Sequence, residues 1–248
     1  MLKAIVFDLD NTLENYSIAE RIAELKLSRF VEKELGVNHK VFLELFHKYK
    51  ISYSKKPNTP RDYSRALWMK RVFSDLKVDV SNRIIKKFEV FLWDEVNKRV
   101  RLFKNTRGVL SSLSKRFKLG LISDSDGDKS FKLDRIKHLG IKKYFKTIVT
   151  SDDTGFNKPD KRVFLLVLKR LRVKPEETIM VGDNLKTDMI GAKSVGMKTI
   201  WLMRGSFARK YYDRIKAGDK NSQHLLKFVD YKARDIMQVY KIIMRLGK

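Results

Sequence analysis

The chain has 248 residues, 43% of them hydrophobic, with only 4 prolines and 12 glycines, a composition that excludes a fibrous or disordered protein. It contains no cysteine, which excludes disulfides and thiolate metal sites and favours a cytoplasmic location. The 55 lysines and arginines outnumber the 29 acidic residues, and a net charge of +26 is expected to attract phosphate-bearing molecules of any size.

Five short apolar runs predict buried strands, at residues 3–7, 118–122, 147–150, 178–181 and 199–202. The first run follows Met1 too closely for a signal peptide, and no apolar stretch approaches the roughly 18 residues that cross a bilayer. Stretches with a helical period, such as residues 134–139 and 161–171, separate most of the runs. This alternation predicts an α/β fold with a Rossmann-like parallel sheet and helices on both of its faces.

Residues 16–100, between the first two strands, show only helical patterns and predict an inserted helical unit. Two apolar faces are predicted in its first half, one formed by Ile18, Ile22, Leu25, Leu27 and Val31, and the other by Val41, Leu45 and Tyr49. Two further helices are predicted to start at Pro60 and at a Ser81 cap, after a loop at residues 55–60. Beyond the fifth strand we predict a loop at 216–222, a last strand at 228–231 and a helix at 235–246.

Two acidic motifs follow predicted strands. Asp8 and Asp10, in the sequence DLDNT, point to the same side at the carboxyl edge of the sheet, where open α/β folds bind ligands. Such a pair suits covalent and acid–base catalysis, although the motif alone fits a solvated acidic turn equally well. Asp183 and Asp188, in GDNLKTD, can bind a hard cation, although a helix cap at Asp183 explains this motif when it is taken alone.

Together these motifs resemble, in order and spacing, those of the haloacid dehalogenase superfamily. Two intermediate segments resemble the remaining signatures of that family. Ser123 follows the strand LGLI as its small hydroxyl residue, and Lys158, in NKPD before a helix, stands at its lysine position. The resemblance covers the core, and it implies that residues 1–15 and 101–248 form a catalytic core while residues 16–100 form a helical cap.

The resemblance implies a phosphatase in which Asp8 attacks phosphorus and forms an aspartyl phosphate. Asp10 would act as general acid and base, with Thr12 orienting it. Ser123 and Lys158 would hold the phosphoryl oxygens and neutralise their charge. An aspartate at position 10 favours phosphoryl transfer over dehalogenation, because the dehalogenases of the superfamily lack this acid–base residue.

The family pattern also implies one Mg²⁺ ion, held by the Asp8 carboxylate, the backbone carbonyl of Asp10, Asp183 and a supporting Asp188. Asp124 departs from the pattern, because many relatives carry asparagine there, and it adds negative charge to the substrate-binding set of Thr12, Ser123, Asp124 and Lys158. The substrate is expected to be a small phosphorylated metabolite enclosed by the cap.

Two other functions remain open from the sequence. The same residues serve phosphomutases of the superfamily, and the charge also fits a nucleic-acid-binding protein on this scaffold, which should interleave basic and aromatic residues on one face. Abundant charged residues without cysteine fit a heat-loving source, in which ion-pair networks stabilise proteins. Such networks need positive and negative residues alike, so they do not explain the excess of positive charge. No membrane association is expected, and the protein is expected to be a monomer or a homodimer.

Overall fold

The computed structural model describes residues 1–54 and 59–247. Its centre is a six-stranded parallel sheet with the order β3-β2-β1-β4-β5-β6, so that β1 lies inside the sheet. The predicted α/β class is confirmed. The strands are β1 (Ala4–Phe7), β2 (Lys118–Ser123), β3 (Thr147–Thr150), β4 (Thr178–Gly182), β5 (Lys198–Leu202) and β6 (Tyr231–Ala233).

Helices cover both faces of the sheet. They are α1 (Tyr16–Leu35), α2 (His39–Ser54), α3 (Arg65–Asp75), α4 (Asn82–Arg99), α5 (Thr106–Ser114), α6 (Lys129–His138), α7 (Lys161–Leu171), α8 (Ile190–Ser194), α9 (Gly205–Lys216), α10 (Lys220–His224) and α11 (Ile236–Leu246). The side chains of β1 alternate between two apolar clusters. Ile5 and Phe7 pack with residues of α5 and α11, while Ala4 and Val6 pack with residues of α7 and α8.

Helices α1 to α4, here called the inserted helices, all lie between β1 and β2, as the sequence predicts. Their buried apolar side chains belong to the same cluster as one face of the sheet. Ser81 caps α4 as predicted, accepting a hydrogen bond from the Ile84 backbone. Pro60 opens a short 3₁₀ helix, Pro60–Tyr63, and α3 begins only after a second cap at Ser64. Most of the predicted loop at 55–60 lies outside the described residues.

Two predicted apolar faces are correct only in part. On α1, Leu27 and Val31 are buried as predicted, but Ile18, Ile22 and Leu25 are exposed, and the buried face also carries alanines together with Glu20 and Glu24. On α2, Leu45 and Tyr49 pack partly buried against the core, but Val41 is 44% exposed, and the fully buried side chains are Phe42 and Phe46, one residue further along the chain. Stacking of these two rings and contacts from Phe42 to Phe73 and from Phe46 to Trp68 hold α2 against α3.

The end of the chain also departs from the prediction. The last strand begins at Tyr231 rather than at residue 228, because residues 228–230 are held by side-chain hydrogen bonds rather than by a strand ladder. The Thr199 hydroxyl donates to the Phe228 carbonyl, and Asp230 accepts from the Thr199 backbone. The predicted loop at 216–222 contains the start of α10, which Asp219 caps, whereas the final helix is confirmed. In the described part of the chain, no helix is both long and apolar enough to cross a membrane.

Candidate active site

The site lies at the carboxyl edge of the central strands. β1 pairs in parallel with β2 on one side and with β4 on the other, so the residues that follow these strands meet at one edge. Asp8 follows β1 and donates its backbone N–H to the Val181 carbonyl of β4, 2.9 Å away. Ser123 ends β2, and Asp183 follows β4. The topology therefore gathers side chains that are far apart in the sequence.

Asp8, Asp183 and Asp188 form a buried acidic cluster in which one carboxylate oxygen from each residue lies within 4.8 Å of the others. Burial raises the pKa of Asp8 to about 6, even though the charge of Lys158 opposes this shift. Burial and the neighbouring carboxylates raise the pKa of Asp183 well above its ordinary value. One oxygen of Asp183, Oδ2, is buried without a hydrogen-bond partner among the described residues. Three carboxylates and an unsatisfied oxygen are the surroundings that fit a hard divalent cation.

Lys158 joins this cluster to the segment before α7. Its Nζ lies 2.6 Å from Asp8 Oδ1 and 2.7 Å from Asp188 Oδ1. Although burial disfavours its charge, the two carboxylates raise the pKa of Lys158 well above its ordinary value. The Thr12 hydroxyl donates to the other Asp8 oxygen at 2.8 Å, so it orients Asp8, whereas the resemblance had implied Asp10. Asp8 is thus held by two donors in one orientation.

Asp10 points away from the acidic cluster towards α6. Lys132 Nζ lies 2.6 Å from one of its carboxylate oxygens, and Arg135 Nη2 lies 3.0 Å from the other. Burial would raise the pKa of Asp10, but these two cations outweigh it and hold the pKa well below its ordinary value. Both cations also contact Asp126, at 3.1 and 3.0 Å, and the Arg135 Nε lies 3.3 Å from the buried Glu14.

The sequence analysis missed Lys132 and Arg135. Lys132 is fully buried and Arg135 is 1% exposed. A signal for Lys132 was present, because it lies four residues before the buried Ile136 and therefore shares its helical face. A lysine on the buried face of a helix requires a carboxylate partner, and Asp10 is that partner.

Ser123 and Asp124 follow one another at the end of β2, and Asp124 contacts Lys158. Ser123 is buried at the end of β2, with its hydroxyl 3.4 Å from the Asp124 carbonyl. The Asp124 carboxylate accepts a hydrogen bond from the Lys158 backbone N–H at 2.9 Å. Burial raises the pKa of Asp124 to about 6, against the opposing charge of Lys158. Asp124 therefore connects the second and third motifs.

A cavity of about 170 Å³ separates this edge from the inserted helices. The inserted helices and the turn before α3 contribute polar side chains that the sequence analysis did not identify. They are Tyr16, Ser17, Glu20, Lys50, Tyr63 and Arg65. Lys50 Nζ lies 2.7 Å from both Glu20 and Glu24.

Arg65 links the inserted helices to the core. Its guanidinium bonds to Glu20, donates to the Tyr16 hydroxyl at 2.7 Å and lies 3.8 Å from Asp126 on the core side. The guanidinium carbon also lies 4.5 Å from the centre of the Trp68 ring. The arginine is therefore both paired and packed, and it closes one side of the cavity.

Residues 5–202 match the family model described as haloacid dehalogenase-like hydrolase. The match covers most of the chain, so the protein belongs to this family. Three of the four motifs recognised in the sequence line the cavity, and the other ends at Ser123, directly before the lining residue Asp124. The resemblance to a phosphatase of this superfamily is confirmed.

Two curated relatives illustrate the similarity. The glyceraldehyde 3-phosphate phosphatase of Methanothermobacter thermautotrophicus is 32% identical over 203 residues, which cover 81% of this chain and 85% of the relative. The human N-acylneuraminate-9-phosphatase is 28% identical over 214 residues, covering 81% and 82% of the two chains. Both relatives are phosphatases, and the enzyme class predicted from the sequence, a phosphate-monoester hydrolase, is confirmed.

Among solved structures, a phosphatase of the same family from Thermococcus onnurineus superposes with a TM-score of 0.71. The alignment covers 98% of each chain at 23% identity, so it supports the fold alone.

Proposed function

We propose that the protein is a Mg²⁺-dependent phosphatase that hydrolyses a small phosphate monoester through an aspartyl phosphate on Asp8. The observation that carries this proposal is the convergence of Asp8, Lys158, Asp183 and Asp188 at one end of a cavity. Asp8, Asp183 and Asp188, with the backbone carbonyl of Asp10, would hold the ion, which would neutralise charge on the transferring group. Residues 16–100 would form a cap over a core of residues 1–15 and 101–248.

In the first step, one Asp8 oxygen attacks phosphorus, and the bond to the leaving oxygen breaks. Thr12 and Lys158 restrict the rotation of the Asp8 carboxylate, which lowers the entropic cost of reaching the attacking geometry. The ammonium of Lys158 also stabilises negative charge on the phosphoryl oxygens, and the Ser123 hydroxyl donates to one of them.

Asp10 would protonate the leaving oxygen and then take a proton from the water that cleaves the aspartyl phosphate. Lys132 and Arg135 favour the ionised carboxylate, which is the form needed in the second step. They disfavour the protonated form needed in the first step. We therefore expect protonation of the leaving group to limit turnover as the pH rises.

The size and lining of the cavity support a small polar substrate. A volume of about 170 Å³ leaves space for a short phosphorylated compound. Glu20, Lys50 and Arg65 already pair with one another or with neighbouring residues, so the inserted helices offer hydrogen-bonding groups rather than a strong net charge. This lining suits the hydroxyl groups of a sugar-like or polyol phosphate.

The test is the release of inorganic phosphate from a panel of phosphorylated metabolites, with and without Mg²⁺. We expect activity on small sugar phosphates that is lost in chelator and in Asp8→Asn, and retained in the matched control Asp213→Asn, which changes an exposed aspartate of α9. Undiminished hydrolysis by Asp8→Asn would contradict the mechanism. Isomerised sugar phosphate in place of free phosphate, when a bisphosphate activator is added, would instead identify a phosphomutase.

A further inference from the structure

The catalytic cavity does not account for the large positive charge of the protein. Among its described lining residues, seven are carboxylates, two are lysines and one is an arginine. A second cavity of about 700 Å³ lies on the other side of Asn11 and Ser17, which line both cavities. Its described lining residues include Arg204, Arg209 and Arg234 but no carboxylate. We call this second cavity the arginine groove.

The three arginines of the groove differ from the arginines near the active site. Arg65 and Arg135 are buried, and each contacts at least two carboxylates. In contrast, Arg204, Arg209 and Arg234 form no ion pair within the described part of the chain, and the last two are exposed. Three guanidiniums that line one cavity without a counter-charge repel one another, and an anion would relieve that repulsion. Guanidinium groups bind phosphate oxygens in a bidentate geometry.

Aromatic rings lie between these charges. The Arg204 guanidinium lies 4.2 Å from the centre of the Phe103 ring. Tyr212 is 42% exposed and follows Arg209 by three positions on α9, so the two side chains share a helical face. An exposed ring beside arginines is the arrangement by which proteins bind single strands, because bases stack on the ring while cations contact the backbone phosphates.

The charged residues of the groove lie outside the part of the chain that matches the family model. The family match ends at residue 202, whereas all three arginines and Tyr212 follow it. Residues 203–248 contain twelve lysines and arginines against four aspartates, so this segment concentrates the excess charge. The three arginines and Tyr212 are thus not part of the four family motifs.

We propose that the arginine groove binds single-stranded nucleic acid, with Arg204, Arg209 and Arg234 on the phosphates and Tyr212 stacked on a base. A single strand fits better than a duplex, because a base can stack on Tyr212 only when its own face is free. This inference is independent of the proposed phosphatase activity.

The test is fluorescence anisotropy of a labelled oligothymidylate of about ten nucleotides, titrated with the full chain at several salt concentrations. Its ends carry hydroxyls rather than phosphates, so that it offers no phosphate monoester to the proposed phosphatase. We expect binding that weakens with salt by about 0.7 in log affinity per log salt for each phosphate contacted. Arg209→Ala combined with Arg234→Ala should weaken binding roughly tenfold at low salt and reduce the salt slope by about 1.4. Tyr212→Ala should weaken binding about fivefold or more, while Tyr212→Phe should retain it.

A charge-matched control separates the groove from the general field of a protein with charge +26. Lys70→Ala combined with Arg83→Ala removes the same charge from exposed positions of α3 and α4. Circular dichroism of every variant verifies the fold. An equal loss in the control pair, unchanged binding in the groove pair, or equally tight binding of a duplex of the same length would each overturn the proposal.

Discussion

The replacement of Asp8 by asparagine is expected to stabilise the metal-free protein while abolishing its activity. Asp8 is 5% exposed, and burial raises its pKa from 3.8 to about 6. That difference corresponds to roughly 3 kcal/mol of free energy that folding loses when the carboxylate is ionised at pH 7. An amide of the same shape avoids this cost and can still contact Thr12 and Lys158, with its nitrogen donating to the threonine hydroxyl.

The gain in stability is smaller than this full amount, because asparagine places no negative charge opposite Lys158. Lys158 still retains Asp188 as its partner. We therefore expect Asp8→Asn to raise the free energy of unfolding at pH 7 by about 1 to 3 kcal/mol. For a chain of this length that corresponds to roughly 3 to 10 °C in the unfolding midpoint. The assay is thermal unfolding followed by circular dichroism, in chelator.

The pH dependence of stability follows from the upward shift of the Asp8 pKa. Because the folded state binds the Asp8 proton more tightly than the unfolded state, stability falls as the pH rises from about 4 to 6. Asp124, whose pKa burial also raises to about 6, acts in the same sense. Glu20 acts in the opposite sense, but only below about pH 4.5, because its ion pairs with Lys50 and Arg65 overcome burial and lower its pKa to about 2. These three groups together predict that the metal-free wild type is most stable near pH 4.

Three results would refute this reasoning. The first is an Asp8→Asn variant no more stable than wild type at pH 7 in chelator. The second is a difference in the free energy of unfolding between Asp8→Asn and wild type that is as large at pH 5 as at pH 7, because wild-type Asp8 is mostly protonated at pH 5. The third is an equal gain from the control Asp75→Asn, because Asp75 is partly exposed and its hydrogen bond from Tyr49 lowers its pKa. Mg²⁺ at a hundred times its dissociation constant should add about 2.7 kcal/mol to the wild type and less to the variant.

Two further substitutions probe the geometry around Asp188 and Asp10. A Cβ at position 182 would lie 2.2 Å from a carboxylate oxygen of Asp188, so Gly182→Ala should destabilise the fold by about 1 to 3 kcal/mol. The control Gly108→Ala should not destabilise the fold, because the space around Gly108 is open. Chemical denaturation measures both free energies of unfolding. Lys132→Met should lower kcat on the order of tenfold with little change in KM, because the Asp10 carboxylate loses a hydrogen bond that orients it, and we expect this loss to outweigh the easier protonation of Asp10; Lys132→Arg should restore most of kcat. An equal loss in the arginine variant, or an effect on KM alone, would show that Lys132 does not position Asp10.

The main features of the fold could be predicted from the sequence because parallel strands buried on both faces are short apolar runs. Parallel strands also place their carboxyl ends at one edge, so the order of strands and acidic motifs along the chain was enough to place Asp8, Ser123 and Asp183 at that edge. The last strand was misplaced because residues 228–230 contain apolar residues but are held by Thr199 and Asp230 through side-chain bonds.

The buried face of α1 could not be predicted from hydrophobicity. Glu20 and Glu24 are buried there because Lys50 and Arg65 pair with them, and these cations are between 26 and 45 residues away in the sequence. Such pairs cannot be identified from a period of apolar residues, since burial of a charge depends on its partner rather than on its own helix. The polar lining of the catalytic cavity was missed for the same reason.

The two cavities also explain how one chain combines a strongly positive charge with an acidic site. The excess cations attract phosphate-bearing molecules from a distance, whereas seven carboxylates lining the catalytic cavity repel the phosphate group at contact. Lys158 offsets only part of this repulsion, because both Asp8 and Asp188 already share its charge. A divalent cation among Asp8, Asp183 and Asp188 would reverse the local sign, so the same acidic cluster that makes the metal-free site costly to fold would make phosphate binding depend on the metal.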